Sequence, residues 1–308
     1  MILSVSRRTD IPAFYSQWFF NRLEEGRIYV RNPVNPRQVT ALEFEKDQLD
    51  GIVFWTKNPK PMLHRLDELE GIPYYFQFTL TPYGQRYEPG ASSLENRIET
   101  LLALAEKVGP DRVIWRYDPI ILDHRMNADW HRLKFEMLAE KFRDRVKRVV
   151  ISYVQGYKNT RKNMIVPMVD DQAKQALAKS FQNIASSRGM VVQGCCEPQL
   201  KEAGIPSSNC VDAALLSKIA GHHIDSKPAT GQREGCDCDQ SVDIGAYNSC
   251  PHKCKYCYAN YNETLIDRNV KQHNPEGLLL YGEISERDRV HIKRGVDKPS
   301  TQIRLIDL

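Results

Sequence analysis

Short apolar runs alternate along this chain with longer amphipathic stretches. The runs Ile2–Ser6, Gly51–Thr56, Tyr74–Leu80, Arg112–Tyr117, Arg148–Tyr153, Gly189–Gln193 and Ser241–Tyr247 are rich in Val, Ile, Tyr and Phe. Several are apolar without a break, which suits strands covered on both faces. Helical spacing marks Tyr15–Glu25, Asn127–Phe142 and Asp171–Ser187, and a further helix runs from Ser93 to Gly109-Pro110, a start and a stop signal. Repeated strand–helix alternation predicts βα units and a parallel sheet, hence an α/β fold. Seven strands can build a doubly wound open sheet or a TIM-like βα barrel, partial or permuted. No Gly-x-Gly-x-x-Gly follows the first run, which weakens the dinucleotide-binding form. The expectation is one barrel-like domain over residues 1–262 and a C-terminal tail, 263–308, packing on or near it, with one apolar island at Leu278–Tyr281. Trp18, Phe19, Phe20, Tyr74, Tyr75 and Phe76 are expected in the core rather than on a base-stacking platform.

Composition narrows the class. Of 308 residues, 41% are hydrophobic and 27% charged, enough for a sizeable core and incompatible with collagen, coiled coil or wholesale disorder. The net charge of +4 is too small by itself to argue for nucleic acid. No apolar run approaches the ~18 residues of a membrane span. The opening apolar stretch is too short for a signal peptide and its charges follow it, so a cytoplasmic chain without a membrane partner is expected.

All eight cysteines follow residue 194. In a reducing compartment, clustered cysteines point to metal or redox chemistry. Cys250, Cys254 and Cys257 form Cys-x3-Cys-x2-Cys, able to hold three irons of a 4Fe–4S cluster and leave the fourth open. Zinc could recruit His252 as a fourth ligand, but that residue is cramped between Cys250 and Cys254. The bacterial ferredoxin spacing differs. The loop follows a strand-like run, at the end of a sheet where α/β barrels build active sites. If the sheet curls, the first and last strands become neighbours and bring Arg7, Arg8 and Asp10 to the loop. Lys57, Gln77, Thr79, Arg116, Asp118, Ser152, Gln155, Gln193 and Glu197 sit at other strand ends. As a set they are candidates to face a substrate, against the reading of Arg116–Asp118 and Arg8–Asp10 as capping and loop ion pairs. Cys196, Cys210, Cys236 and Cys238 are the preferred set for a second cluster. Cys195 is an alternate because adjacent strand residues point oppositely. Ordinary buried thiols with a surface Cys-x-Cys redox pair are the alternative. His222-His223 are expected at the surface.

The motif, with the aromatic Tyr256 before its last cysteine, resembles the cluster loop of the radical S-adenosylmethionine superfamily. That resemblance implies an oxygen-sensitive enzyme whose open iron binds the amino and carboxylate groups of S-adenosylmethionine. One electron, from a donor such as flavodoxin or ferredoxin, then yields a 5′-deoxyadenosyl radical that acts on a substrate. Auxiliary 4Fe–4S clusters are common in the superfamily. Two departures stand out: the loop follows the last strand, as in a permuted barrel, and the usual Gly-Gly-Glu is missing. Arg7, Arg8, Asp10 and Tyr256 are therefore the candidates for cofactor binding. The segments Cys236–Gly245, Cys250–Asn260, Ser6–Pro12, Trp55–Pro59 and Arg116–Pro119 are also similar to a bacterial family catalogued as a domain of unknown function. A more distant similarity, through the Tyr258-Ala259 that continues the loop, is to spore photoproduct lyase. Two alternatives stay open. One is nucleic-acid lesion repair or base modification of that lyase type; the other is a non-enzymatic iron–sulfur or zinc protein for electron transfer or structure.

Overall fold

The computed structural model describes residues 1–295. The chain runs through β1 (Ile2–Val5), α1 (Ile11–Phe14), α2 (Ser16–Glu24), β2 (Arg27–Arg31), β3 (Gln38–Glu43), β4 (Gly51–Thr56), β5 (Tyr74–Thr79), α3 (Leu94–Val108) and β6 (Val113–Ile120). It continues through α4 (Ala128–Lys141), β7 (Arg148–Tyr153), α5 (Lys158–Asn163), α6 (Asp171–Ser186), β8 (Val191–Gly194), α7 (Ala213–Ala220), β9 (Val242–Asp243), α8 (Glu263–Lys271) and β10 (Arg289–Arg294). All seven expected strands enter one parallel sheet, in the order β8-β7-β6-β5-β4-β1-β9. From β1 to β8 each crossover steps in the same direction, without the reversal of a doubly wound sheet. Crossovers of one hand then carry their helices to one face.

That outer face holds the larger core. Leu3, Phe54, Phe76, Trp115 and Ile151 of the strands pack with Trp18 and Phe19 of α2, Leu101 and Leu104 of α3, Phe135 and Leu138 of α4, and Phe181 of α6. The alternate residues Ile2, Val53, Tyr75, Ile114 and Val150 point inward and are covered by Val211 and by Leu215 and Leu216 of α7. The inner face is thus plugged at the amino ends of its strands, while polar residues remain toward the carboxyl ends.

The first and last strands are neighbours, as the curled-sheet reading requires: Leu3 pairs with Val242 and Ser4 with Asp243. A closed barrel is not formed. β8 and β9 are the sheet edges, and no ladder joins them among the described residues. β9 is also far shorter than the Ser241–Tyr247 run, because the chain turns at Gly245 beneath Ser6, where an added Cβ would lie 2.0 Å from the Ser6 Oγ. A second sheet, β10-β3-β2, was not expected. The tail builds part of it: β10 pairs parallel with β3, and Leu279 and Leu280 of the apolar island are buried. The Trp18 Nε1 donates to the Gly277 carbonyl at 2.8 Å. The rest of the tail, 296–308, lies outside the described residues. No helix among those described is long and apolar enough to cross a membrane.

Candidate metal centre

Two β-strand ends and one turn fix the cysteine loop. Asp243, on β9, accepts from Ser4, Ser6 and the Arg7 N–H, tying the approach to the end of β1. The Thr9 Oγ bonds the Ala246 carbonyl at 2.8 Å and the Ser249 Oγ at 2.5 Å. The Asn260 side chain donates to the Cys250 carbonyl at 2.7 Å, closing the loop from behind. Gly90 lies flat against it: its N–H donates to the His252 carbonyl at 3.0 Å, and a Cβ there would stand 2.2 Å from the Pro251 carbonyl oxygen.

Asp10 is the strut of this arrangement. One carboxylate oxygen caps α1 through the Ala13 N–H and accepts from the Thr56 hydroxyl. The other accepts from the Lys57 N–H at 2.6 Å and faces the His252 Nε2 at 2.8 Å. The second ring nitrogen of His252 faces the Gly90 carbonyl at 3.2 Å. Both nitrogens thus face protein oxygens. Asp10 reaches the loop as expected, with both carboxylate oxygens bonded to protein groups. Tyr256 likewise commits its hydroxyl to buried Glu88.

Glu88 carries no sequence signal and is the hub under the loop. It accepts from the Lys57 Nζ at 2.7 Å, the Arg97 Nη1 at 2.8 Å and the Thr81 hydroxyl at 2.6 Å. Burial pushes its carboxyl up, but the two cations outweigh burial and hold it below the usual range. Burial raises the loop thiols, Cys254 to about 12 with Lys57 opposing, and Cys250 well above its ordinary value, with Asp10 and Cys254 adding to the rise. Cys257 is raised as well. Thiols so placed ionise readily only against a strong positive charge, which a metal supplies.

All eight cysteines line a single cavity of about 740 Å³. Cys250, Cys254 and Cys257 form one wall; Cys195, Cys196, Cys210, Cys236 and Cys238 line another part. Arg7, Arg8, Lys57, Arg116 and Arg233 also line it, against Asp10, Asp118 and Asp243, leaving a surplus of positive charge. Trp55 stands between Arg7 and Arg116, whose guanidinium carbons lie 5.4 and 5.0 Å from its ring. Strand alternation in β4 (Val53, Trp55, Lys57 on one face) could have exposed this tryptophan. Arg233 and Tyr157, in irregular segments, had no such pattern.

Of the expected substrate-facing residues, Lys57, Thr79, Arg116, Asp118, Ser152 and Gln155 line the cavity, and Gln77, Gln193 and Glu197 do not. Gln77 is fully buried and donates to the Cys210 carbonyl at 2.8 Å. Glu197 accepts from the Tyr153 N–H at 2.8 Å, and burial raises its carboxyl. Both support the wall from outside. The Arg116–Asp118 ion pair expected as an alternative is present, at 3.1 Å from Nε. Burial pushes Asp118 up, but Arg116 holds it below its ordinary value. His222 and His223 are exposed.

No three His, Cys, Asp or Glu side chains among the described residues converge as a single-ion site. The thiolates of an iron–sulfur cubane bind different irons and need not converge on one point. Among known proteins, the model of one family, a domain of unknown function (DUF1848), matches residues 2–259. No curated protein and no solved structure matches.

Proposed function

The chain belongs to this family of unknown function, and on that footing we propose that it is a radical S-adenosylmethionine enzyme with a 4Fe–4S cluster on Cys250, Cys254 and Cys257. One observation carries the reading: three thiols on one loop, two buried and that of Cys257 half-buried, at the carboxyl ends of a parallel sheet, face a chamber large enough for a cofactor and a substrate. When bound, the cluster and cofactor supply a reductively generated 5′-deoxyadenosyl radical that takes a hydrogen atom from the substrate. The protein's share is position and shielding. Asp10, His252 and Gly90 fix the loop; Lys57, anchored by Glu88, places a positive charge beside the thiols. Arg7 and Arg8 border the loop and are the groups for the cofactor's anionic end. The surplus of arginine suits a substrate carrying carboxylate or phosphate. Flavodoxin or ferredoxin fits as electron donor to a cytoplasmic enzyme of this kind.

The rim favours one second reading. Tyr157, Tyr247 and Tyr258 stand with Arg8 and Arg233 around the chamber, a combination that stacks bases and contacts phosphates. A nucleobase taken into the chamber, as in lesion repair, would show as retention on single-stranded nucleic acid that falls steeply with salt.

The test is made without oxygen. Protein reconstituted with iron and sulfide should release 5′-deoxyadenosine from S-adenosylmethionine in dithionite, and Cys250→Ala, Cys254→Ala or Cys257→Ala should abolish it. Zinc without iron, or a stable cluster that never cleaves the cofactor, would sink the enzyme reading in favour of a structural or electron-carrying protein.

A further inference from the structure

Away from the Cys250–Cys257 loop, five more thiols line the same chamber, and we propose that Cys195, Cys196, Cys210 and Cys238 form a second, closed iron–sulfur site. The four gather in one packed layer. The Cys195 Sγ lies 3.2 Å from that of Cys210, Cys238 is buried in the same small core layer, and Cys196 packs against it. Cys236, half-buried beside the exposed 231–235 turn, is left out.

Backbone geometry explains why two adjacent cysteines serve one site. β8 ends at Gly194, so neither lies on a strand, and Cys196 has φ 52°. This left-handed conformation is unusual for a residue with a Cβ. It takes Cys196 out of the strict alternation of a strand, so that both adjacent cysteines line the chamber.

The charges around the sulfurs are a separate observation. The Arg116 Nη1 donates to the Cys210 Sγ at 2.9 Å, and the Arg233 Nη2 lies 3.8 Å from the Cys195 Sγ and donates to the Cys195 carbonyl at 3.0 Å. Neutral thiols gain little from guanidinium donors. Thiolates gain much, and a four-thiolate iron–sulfur cluster carries net negative charge that two guanidiniums offset. Gln77 bonds both the Cys210 carbonyl and Arg116, fixing the arginine against the sulfur. Thiolate ligands without carboxylate or imidazole suit iron–sulfur chemistry.

The experiment uses the full chain carrying Cys250→Ala, Cys254→Ala and Cys257→Ala, reconstituted anaerobically with iron and sulfide, beside wild type. The triple variant should hold about four irons and wild type about eight. Adding Cys210→Ala should empty the triple variant, and adding Cys236→Ala should leave its iron unchanged. A triple variant that is folded by circular dichroism yet holds no iron, or one that takes only zinc, overturns the site. Iron lost with Cys236→Ala overturns the ligand set. Cys210→Ala alone should still release 5′-deoxyadenosine. Four irons in the triple variant, with no cofactor cleavage by wild type, would refute the proposed activity and leave this site standing.

Discussion

Single buried polar residues decide how tightly the wall of the chamber is held. Glu88 is 1% exposed and meets both Lys57 and Arg97. Glu88→Gln keeps the shape but leaves two buried cations without their anion, a change that costs about 3–5 kcal/mol where partners cannot rearrange. Urea unfolding should show that loss; a change under about 1 kcal/mol would mean that water reaches the pair. His131 gives the molecule a pH dependence far from any cysteine. Its ring is fixed between the Tyr117 hydroxyl and the Ile121 carbonyl, at 2.8 and 2.9 Å. Burial lowers its pKa from 6.5 to about 4. The unfolded chain therefore takes up the proton first as pH falls. The contribution is full above pH 6.5 and shrinks toward pH 4, by about 2 kcal/mol at pH 5. Wild type should lose that much more stability between pH 7.5 and 5 than His131→Phe; parallel slopes would refute it. Neither residue was singled out from sequence, since Glu88 sits in an irregular loop and His131 on a helix whose pattern predicts only its inward face.

At the scale of elements, the strands and the four long helices were legible because their periodicity is set by burial on both faces of one sheet. β2, β3 and β10 were not. Arg27–Arg31 is a five-residue run with a charge at each end, Arg289–Arg294 interleaves charged or polar residues with Val290 and Ile292, and β10 is exposed throughout, so its pairing with β3 rests on backbone bonds that leave no buried apolar face. The cysteine loop was legible through spacing alone. Its seat on residues 81–92 was not, because Gly90 acts by lacking a side chain. Gly90→Ala would force the Pro251 carbonyl, 2.2 Å from the new Cβ, to move and with it the loop. We expect iron bound at that loop to fall by half or more and 5′-deoxyadenosine formation by at least tenfold, with far-UV circular dichroism unchanged. Full iron and full activity in Gly90→Ala would show that the loop tolerates displacement.

On the scale of the whole molecule, the two core layers depend differently on the cysteines. The larger layer, from Leu3 to Tyr153 and the helices behind it, contains none. The inner layer includes Cys195, Cys210 and Cys238 among the residues that join α7 and the 205–240 segment to the sheet. This split follows from topology: a sheet whose order is monotonic from β1 to β8 packs its helices on one face and leaves the other to whatever the remaining chain can supply. Here that chain is short of large apolar residues and rich in thiols. Ligand bonds to a metal would add stability to the folded state only, since the unfolded chain has no preformed site. Chelation of the reconstituted protein should therefore leave the far-UV spectrum nearly intact. Hydrogen exchange should accelerate in 195–260 and not in β4 to β7, and a protease should cut first within the exposed 231–235 turn. If metal removal instead unfolds the sheet in one step with the inner layer, the two layers form a single cooperative unit, and the iron supports the fold as well as the chemistry.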